Sequence, residues 1–167
     1  MRIHLPGKDP LVAALNPFLT GGGHVLTPTV ADAEVLLCSQ PVPVDDTPVY
    51  RTDTSRLLMK LAHQLRGPIV ISLVSFEPNL LWPANFCHVC ESPIRGNSGY
   101  PFAMTRTHFR SKLPERDCEL ILGADADEVR DLLLAVWQPC LDPSAQIITD
   151  RVFAAELLAE KVLTPHS

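Results

Sequence analysis

Five basic side chains lie close together in a chain whose formal net charge is −5. They are Arg95, Arg106, Arg110, Lys112 and Arg116. Arginine holds phosphate and carboxylate groups through paired hydrogen bonds, and the interleaved Tyr100, Phe102 and Phe109 could stack on a base or fill a partner's groove. The cluster therefore predicts an anion site in a loop spanning 95–116, for a nucleotide, a sugar phosphate or an acidic protein partner. The alternative is an ordinary solvated loop surface.

Cys87 and Cys90 form a C-x-x-C pair, which is the spacing of half a tetrahedral zinc site. The sequence has no second C-x-x-C or H-x-x-x-H pair, and His108, Cys118 and Cys140 stand alone. Nothing marks a helix N-terminus after Cys87 that would lower the pKa of a redox-active thiol. We expect buried strand cysteines and no bound metal, with Cys87 and Cys90 as the weak candidates.

Two common enzyme signatures are incomplete. The Tyr-x-x-x-Lys pair of short-chain dehydrogenases fails because Met104 stands four residues after Tyr100. The segment Gly96-Asn97-Ser98-Gly99 is one residue short of the Gly-x-Ser-x-Gly elbow of serine hydrolases. The first signature is therefore excluded at its key residue, and the second segment is interpreted as a turn.

Composition narrows the class of protein further. The 167 residues are 46% hydrophobic and 20% charged, which is ordinary for one globular domain. The negative charge and the absence of a long basic run argue against nucleic-acid binding. No apolar run approaches the roughly 20 residues of a membrane helix, and no signal peptide is recognisable. The sequence therefore predicts a cytoplasmic protein that contacts neither nucleic acid nor membrane.

Strand and helix patterns alternate along the chain and indicate an α/β domain with a mostly parallel sheet. Short apolar segments predict strands at 1–5, 24–27, 35–38, 69–74, 87–90, 120–123 and 145–149. Helical periodicity predicts a helix from Pro10 to a stop at Gly21, and others at 54–65, 125–137 and 150–163. Residues 78–118 are the least regular part and are expected to form loops.

Several segments, taken in order, resemble the NAD-binding half of nucleotide-sugar dehydrogenases, the UDP-glucose and GDP-mannose 6-dehydrogenases. They are Ser72-Leu73-Val74-Ser75, Cys90-Glu91-Ser92-Pro93-Ile94-Arg95-Gly96, Pro114-Glu115-Arg116 before Leu120-Ile121-Leu122-Gly123, and Thr149-Asp150 at the opening of a helix. The resemblance implies a single reduced Rossmann-like domain over 1–167, a mostly parallel sheet flanked by helices. It further implies that 150–163 corresponds to the start of the family's central dimerisation helix, and thus a homodimer. By the same matching, Ser72, Ser75 and Glu91 join Arg95, Tyr100, Arg106 and Arg110 as ligand-binding candidates.

The chain departs from that family at its cofactor loop. The family's Gly-x-Gly-x-x-Gly is replaced by Pro6-Gly7-Lys8-Asp9-Pro10, and no acidic residue matches the ribose-binding position after the second strand. By the resemblance, the catalytic threonine, second glutamate, helix lysine and asparagine correspond to Leu73, Arg95, Ala159 and Leu163. The domain that carries the family's cysteine nucleophile has no counterpart in this sequence.

These departures predict a catalytically degenerate relative, with no catalytic residues and no cofactor of its own. Such a module would act in binding, regulation or scaffolding, and the resemblance points to nucleotide-sugar or polysaccharide metabolism. The first alternative is an NAD(P)-dependent oxidoreductase with a nonstandard cofactor site, or with a site completed by a partner chain. The second is a purely structural homodimer.

Overall fold

A computed structural model describes residues 1–5, 10–29, 32–39, 70–76, 94–95 and 101–163. The elements in chain order are β1 (Arg2–His4), α1 (Pro10–Gly21), β2 (Val25–Leu26), β3 (Val35–Ser39), β4 (Val70–Phe76), β5 (Ile94–Arg95), β6 (Pro101–Phe109), β7 (Leu120–Gly123), α2 (Asp127–Trp137), a 3-10 turn (Gln138–Cys140), β8 (Ile147–Asp150) and α3 (Val152–Leu163). No helix in these ranges is long and apolar enough to cross a membrane.

The strands form one sheet in the order β2-β1-β3-β4-β6-β7-β8. Every neighbouring pair on this path is parallel except β6 and β7, which form an antiparallel pair, and β5 pairs antiparallel with the start of β6. The predicted mostly parallel, Rossmann-like α/β sheet is therefore confirmed. Among the described strands β2 is the last at its side of the sheet, and the eight residues 27–34 that lead from it to β3 are too few for another strand and helix.

The main core lies on the sheet face that α1 and α2 cover, termed the α1/α2 face. At its centre Phe76 and Phe109 stack with ring centroids 4.7 Å apart, and Trp137 meets Phe109 edge-on at 5.1 Å. Phe18 of α1 closes the group at 6.0 Å from Phe109. Such offset and edge-to-face pairs stabilise a core beyond the area they bury. The prediction that Phe109 stacks on a base is therefore wrong, because its ring is completely buried in this core.

A glycine turn ends α1 and packs against the end of α2. Gly23 adopts a φ of 89°, a left-handed conformation that glycine accepts without strain. The His24 ring then donates from Nε2 to the carbonyl of Val136, 2.7 Å away near the end of α2. Gly22 packs so closely on Cys140 that a Cβ would overlap its Sγ. The predicted end of α1 at the glycines is thus confirmed. The same turn also packs against Val136 of α2 and Cys140 of the 3-10 turn.

Helix α3 covers part of the opposite face, termed the α3 face. It buries Val152, Ala155 and Ala159, the last two against Ile121. The sequence places Phe153, Leu157, Leu158, Val162 and Leu163 on one apolar face of this helix, which either packs against the sheet or meets a second subunit. Phe153 and Leu157 do not pack against the sheet, since Phe153 is 58% and Leu157 51% exposed.

Local reasons explain this orientation of α3. Small residues are needed because a Cβ on Gly123 of β7 would lie 3.0 Å from both the Ala155 Cβ and the Val152 Cα. The Asp125 carboxylate accepts a 3.0 Å hydrogen bond from the Val152 N–H and caps the helix start. Thr149 and Asp150, which were expected to open the helix, belong to β8 instead.

The expectation of loops throughout 78–118 is also wrong, because nine residues of this region form β6 and 94–95 form β5. The other predicted strands and helices that fall in the described ranges are confirmed within two or three residues at their ends. The predicted helix at 54–65 and the predicted strand at 87–90 lie outside the described residues.

Candidate functional site

Strand β6 carries four consecutive polar residues, 105–108, and all four are completely buried. Ser72 and Ser75 on the neighbouring β4 are buried as well. Central strands of a parallel sheet that is covered on both faces are usually continuous apolar runs, because burying a polar group is costly unless it is hydrogen-bonded. A place where a sequence breaks such a rule is a candidate for function. The β4–β6 pair is therefore the candidate functional site.

On the α1/α2 face, Ser72 and Thr107 belong to one hydrogen-bonded network. The Trp137 Nε1–H donates to the Thr107 hydroxyl at 3.1 Å, and the Thr107 and Ser72 hydroxyls lie 2.8 Å apart. Since the Thr107 oxygen accepts from the indole, its own proton is available for Ser72. Ser72, a predicted ligand residue, is thus part of the bracing between α2 and the two strands. No ligand is required to satisfy it.

The polar groups on the α3 face are of a different kind. Ser75 and His108 are register partners on β4 and β6, and the Ser75 Oγ lies 2.9 Å from the His108 Nδ1. Arg106 lies two residues before His108 on the same face, and its Cβ comes within 3.5 Å of the position that a Gly123 Cβ would take. A hydroxyl, an imidazole and a guanidinium therefore share one covered face.

The structure places the other predicted ligand residues as follows. Arg106 lies inside the candidate site, but on a buried strand and not on a loop surface. Arg110 is half-buried and forms an ion pair with Glu119, so it braces the β6–β7 hairpin. Ser75 belongs to the body of β4, which extends the strand predicted at 69–74 as far as Phe76. The side chain of Arg95, and Glu91 and Tyr100 altogether, lie outside what the structure describes.

A second feature is the carboxyl edge of β1 and β3. The chain leaves β1 for β2 on one side, while β3 lies on the other side of β1, which makes this a topological switch point. Ligands of open α/β sheets bind at such points, with phosphate near the helix that follows the first strand. Here that helix is α1, which begins at Pro10.

Side chains around this edge are held by a chain of hydrogen bonds. His4 donates from Nδ1 to the carbonyl of Thr27 at 2.9 Å, since a carbonyl can only accept. The Thr27 hydroxyl donates to the Thr29 carbonyl at 3.0 Å, and the Thr29 hydroxyl donates to Asp32 at 2.8 Å. An exposed carboxylate therefore follows β2, six residues after its end, and a helix begins beyond β1. In open α/β sheets an acidic residue after the second strand and a helix after the first strand are the elements that meet ribose and phosphate, but the glycine-rich loop is absent from this sequence.

The described thiols, those of Cys118 and Cys140, are not activated for nucleophilic or redox chemistry. Burial raises the pKa of Cys140 to about 11, and burial is also the main cause of the raised pKa of Cys118. Both therefore stay protonated at neutral pH and behave as small apolar side chains, as predicted. Within the described ranges no three His, Cys, Asp or Glu side chains gather into a metal site.

The sequence could not have revealed the Ser75–His108 pair directly, because 33 residues separate its members. The one available signal is the run Thr105-Arg106-Thr107-His108, whose alternation would place two residues on each face of a strand. The sequence pattern favours a polar loop here, because residues 101–109 lack the apolar alternation of a strand with one solvated face.

No protein-family model matches the chain, and no curated protein matches it by sequence. Solved structures do match. GDP-mannose dehydrogenase from Pseudomonas aeruginosa aligns over 97% of this chain and 49% of its own, with a TM-score of 0.66 and 15% identity. Arogenate dehydrogenase from Synechocystis aligns over 97% and 64%, with a TM-score of 0.62 and 13% identity.

An imine reductase from Myxococcus stipitatus, solved in complex with NADP+, aligns over 98% of this chain and 60% of its own. Its TM-score is 0.54 and its identity 16%. The chain thus spans between 49% and 64% of the lengths of these three proteins. Identities this low establish the fold alone. The chain therefore has a Rossmann-like fold, as the resemblance predicted, and shares it with these three proteins.

Proposed function

We propose that this chain is a nucleotide-binding module that accepts a nicotinamide dinucleotide or a nucleotide sugar at the carboxyl edge of β1 and β3, and that it performs no dehydrogenase chemistry of its own. The observation that carries the proposal is the switch point between these strands, followed by α1. In this view the ligand serves regulation or scaffolding, in nucleotide-sugar or polysaccharide metabolism. The expectation of no cofactor is given up in favour of its alternative, NAD, since the structural neighbours include an enzyme solved with NADP+.

The packing on the α3 face supports the absence of dehydrogenase chemistry. By the resemblance, Leu73 and Ala159 occupy the positions of the catalytic threonine and lysine. Both are completely buried apolar residues, and Ala159 packs against Ile121. Both side chains contribute to packing in the interior of the domain. Restoring one polar residue there would bury an unpaired group at a cost of about 1–3 kcal/mol and would not restore activity.

A second candidate function is an NAD(P)-dependent oxidoreductase whose site is nonstandard or completed by a partner chain. The observation that favours it is the Ser75–His108 hydrogen bond, since a hydroxyl bonded to an imidazole can exchange a proton. A nicotinamide cofactor would supply hydride transfer. Formation of reduced nicotinamide from an alcohol substrate, lost in both Ser75→Ala and His108→Gln, would establish this candidate over the first.

We predict that NAD+, NADP+, UDP-glucose or GDP-mannose raises the melting temperature by several degrees at about a hundred times its dissociation constant. Lys8 is the one basic residue in the sequence between β1 and α1. Lys8→Glu should weaken binding at least about tenfold, because a charge-assisted hydrogen bond contributes about 1.5–3 kcal/mol. Thermal unfolding identifies the ligand, and calorimetric titration gives its affinity.

The matched control is Lys112→Glu, which makes the same charge change at an exposed residue after β6. It should bind like the unmodified protein. Equal weakening by both variants would show a general charge effect, and no response to any of the four ligands would refute nucleotide binding.

We further propose that the chain forms a homodimer through α3. This helix turns its small residues toward the sheet and leaves Phe153 and Leu157, four residues apart on one side, facing solvent. The two side chains form a small contiguous apolar patch, and contiguous apolar patches can mark protein–protein contact sites. A second copy of α3 running antiparallel would set Phe153 of one chain near Leu157 of the other.

Sedimentation or light scattering should therefore give a mass near twice 18.4 kDa for the unmodified protein. The double variant Phe153→Ser with Leu157→Ser should sediment as a monomer. Leu113→Ser is the control, because Leu113 is also half exposed but lies in the β6–β7 hairpin. A monomeric unmodified protein, or a dimer that survives the double variant, would contradict the proposal.

A further inference from the structure

Among the described strands, β8 is the last on its side of the sheet, and its outer side presents backbone donors and acceptors. The carbonyls of Gln146 and Asp150 accept N–H hydrogen bonds from β7 and the residue after it, at 3.0 and 2.9 Å. In a parallel pair every second residue bonds to the neighbouring strand, so the N–H and C=O groups of Ile147 and Thr149 point away from β7. No described residue bonds to these outward groups.

A cavity of about 470 Å³ lies beside the amino end of β8. Most of its wall is apolar, and it is lined by Gln138, Leu141, Asp142, Pro143, Ala145 and Ile147. Ala145 and Ile147 pack toward the main core, which places the cavity on the α1/α2 face next to the outer edge of β8. A strand added to this edge would therefore run past the cavity and set alternate side chains over it.

The sequence of β8 does not protect this edge. Natural edge strands are commonly blunted by proline, lysine or a bulge, which prevent pairing with another chain. β8 contains neither residue type, and it pairs with β7 in unbroken register. Its first three residues are β-branched and suit an extended partner. In recognition by strand addition, main-chain hydrogen bonds give affinity and pockets for alternate side chains give specificity.

The walls of the cavity favour a foreign segment over a second copy of β8. In the antiparallel pairing that uses the outward groups of both copies, Ile147 lies opposite Thr149 of the second copy. The same register carries Arg151 of the second copy past Ala145. A threonine and an arginine would then meet the apolar walls, whereas a leucine or isoleucine of another protein would fill them and bury apolar area.

The charge of the cavity indicates the second feature of the partner. Asp142 is the one charged residue among those that line it. Its Oδ1 pairs with Arg116 at 3.4 Å, and the Arg116 side chain is 72% exposed. Since exposed ion pairs contribute little, this pair does not prevent the Asp142 carboxylate from accepting a lysine or arginine of the partner.

We propose that the outer edge of β8 binds an extended segment of a partner protein by strand addition, with an aliphatic side chain in the cavity and a basic residue beside Asp142. This goes beyond the proposed nucleotide binding and does not depend on it, because β8 and the β1 and β3 edge lie on different sides of the sheet.

The test uses a short synthetic peptide of alternating threonine and leucine with a lysine at each end, labelled for fluorescence anisotropy. Its anisotropy should rise saturably on addition of the unmodified protein. A peptide with alanine in place of leucine, and one with glutamate in place of lysine, should each bind at least about tenfold more weakly. Equal binding of all three peptides, or no saturable binding of the first at millimolar protein, would overturn the proposal.

Two variants place the binding at β8. Thr149→Pro removes an outward N–H and leaves the hydrogen bonds to β7 in place, so the protein should fold and lose the peptide. Ala145→Phe fills the cavity from its wall, should weaken binding at least about tenfold, and serves if the proline variant does not fold. Binding that persists unchanged in both variants would contradict strand addition at this edge.

Two controls separate this surface from the others. The double variant Phe153→Ser with Leu157→Ser should bind the peptide like the unmodified protein, because both residues lie on the exposed side of α3. Lys8→Glu should also bind it unchanged, whatever its effect on nucleotides. A lower mass of Thr149→Pro in sedimentation would show that a second copy occupies the edge, which would overturn the proposal of a foreign partner.

Discussion

Replacing Phe109 with alanine is expected to lower the free energy of unfolding by about 3–5 kcal/mol, which is a large loss for a single substitution. The Phe109 ring stacks on Phe76, meets Trp137 edge-on and contacts Phe18, so it joins both helices of the α1/α2 face to the central strands. Its removal would leave a cavity among rigid rings that cannot collapse to fill it.

Urea unfolding followed by tryptophan fluorescence measures this loss, because Trp137 is completely buried beside the ring. Phe153→Ala is the matched control. The same atoms are removed from a side chain that is 58% exposed, so a monomer should change by no more than about 0.5 kcal/mol. Comparable losses for the two variants, measured at concentrations too low for dimers, would contradict the assigned core.

Gly123→Ala is expected to cost about 2 kcal/mol, which is a large effect for a single added methyl group. The new Cβ would lie 3.0 Å from the Ala155 Cβ and 3.0 Å from the Val152 Cα. One of these contacts is with the backbone of α3, so relief requires the whole helix to move away from β7. The same movement would disturb the packing around Arg106, whose Cβ lies beside Gly123.

The control for this variant is Gly21→Ala, since a Cβ at Gly21 meets nothing within 4 Å. Thermal or urea unfolding should show Gly21→Ala within about 0.5 kcal/mol of the unmodified protein. A neutral Gly123→Ala would mean that α3 does not pack on β7 as described. The orientation that exposes Phe153 and Leu157 would then lose its basis.

Much of this fold could be predicted because local signals agree with it. The apolar runs of β3, β4 and β7 are typical of strands covered on both faces. The proline at the start of α1 and the glycines at its end give its limits directly. Alternation of these elements is sufficient to predict a parallel α/β sheet.

Strand β6 and the orientation of α3 could not be predicted, for two physical reasons. In β6, burial depends on tertiary contacts that outweigh the polar character of residues 105–108, and strand propensity reflects such contacts more than intrinsic preference. In α3, the amphipathic pattern favours burial of the largest apolar side chains. The close approach to Gly123 instead requires Ala155, and this requirement is visible only once β7 and α3 are brought together.

The candidate site was predicted only in part, for a similar reason. The basic cluster in the sequence includes both Arg106 and Arg110, and nothing in the sequence separates their roles. In the structure Arg106 is buried on the α3 face, whereas Arg110 is paired with Glu119. In the sequence His108 is an isolated histidine with no recognisable partner. Its importance depends on Ser75, which reaches it through the parallel register of β4 and β6.

Amide hydrogen exchange with and without the ligand that raises the melting temperature tests nucleotide binding at the β1 and β3 edge most directly. We predict slower exchange at Leu5, at Leu11 and Val12 in the first turn of α1, and at Ser39 at the end of β3. Amides in β8, at the far edge of the sheet, should change only as much as overall stability changes. Protection confined to β8 or α3, or unchanged exchange at the β1 and β3 edge under saturating ligand, would contradict the account.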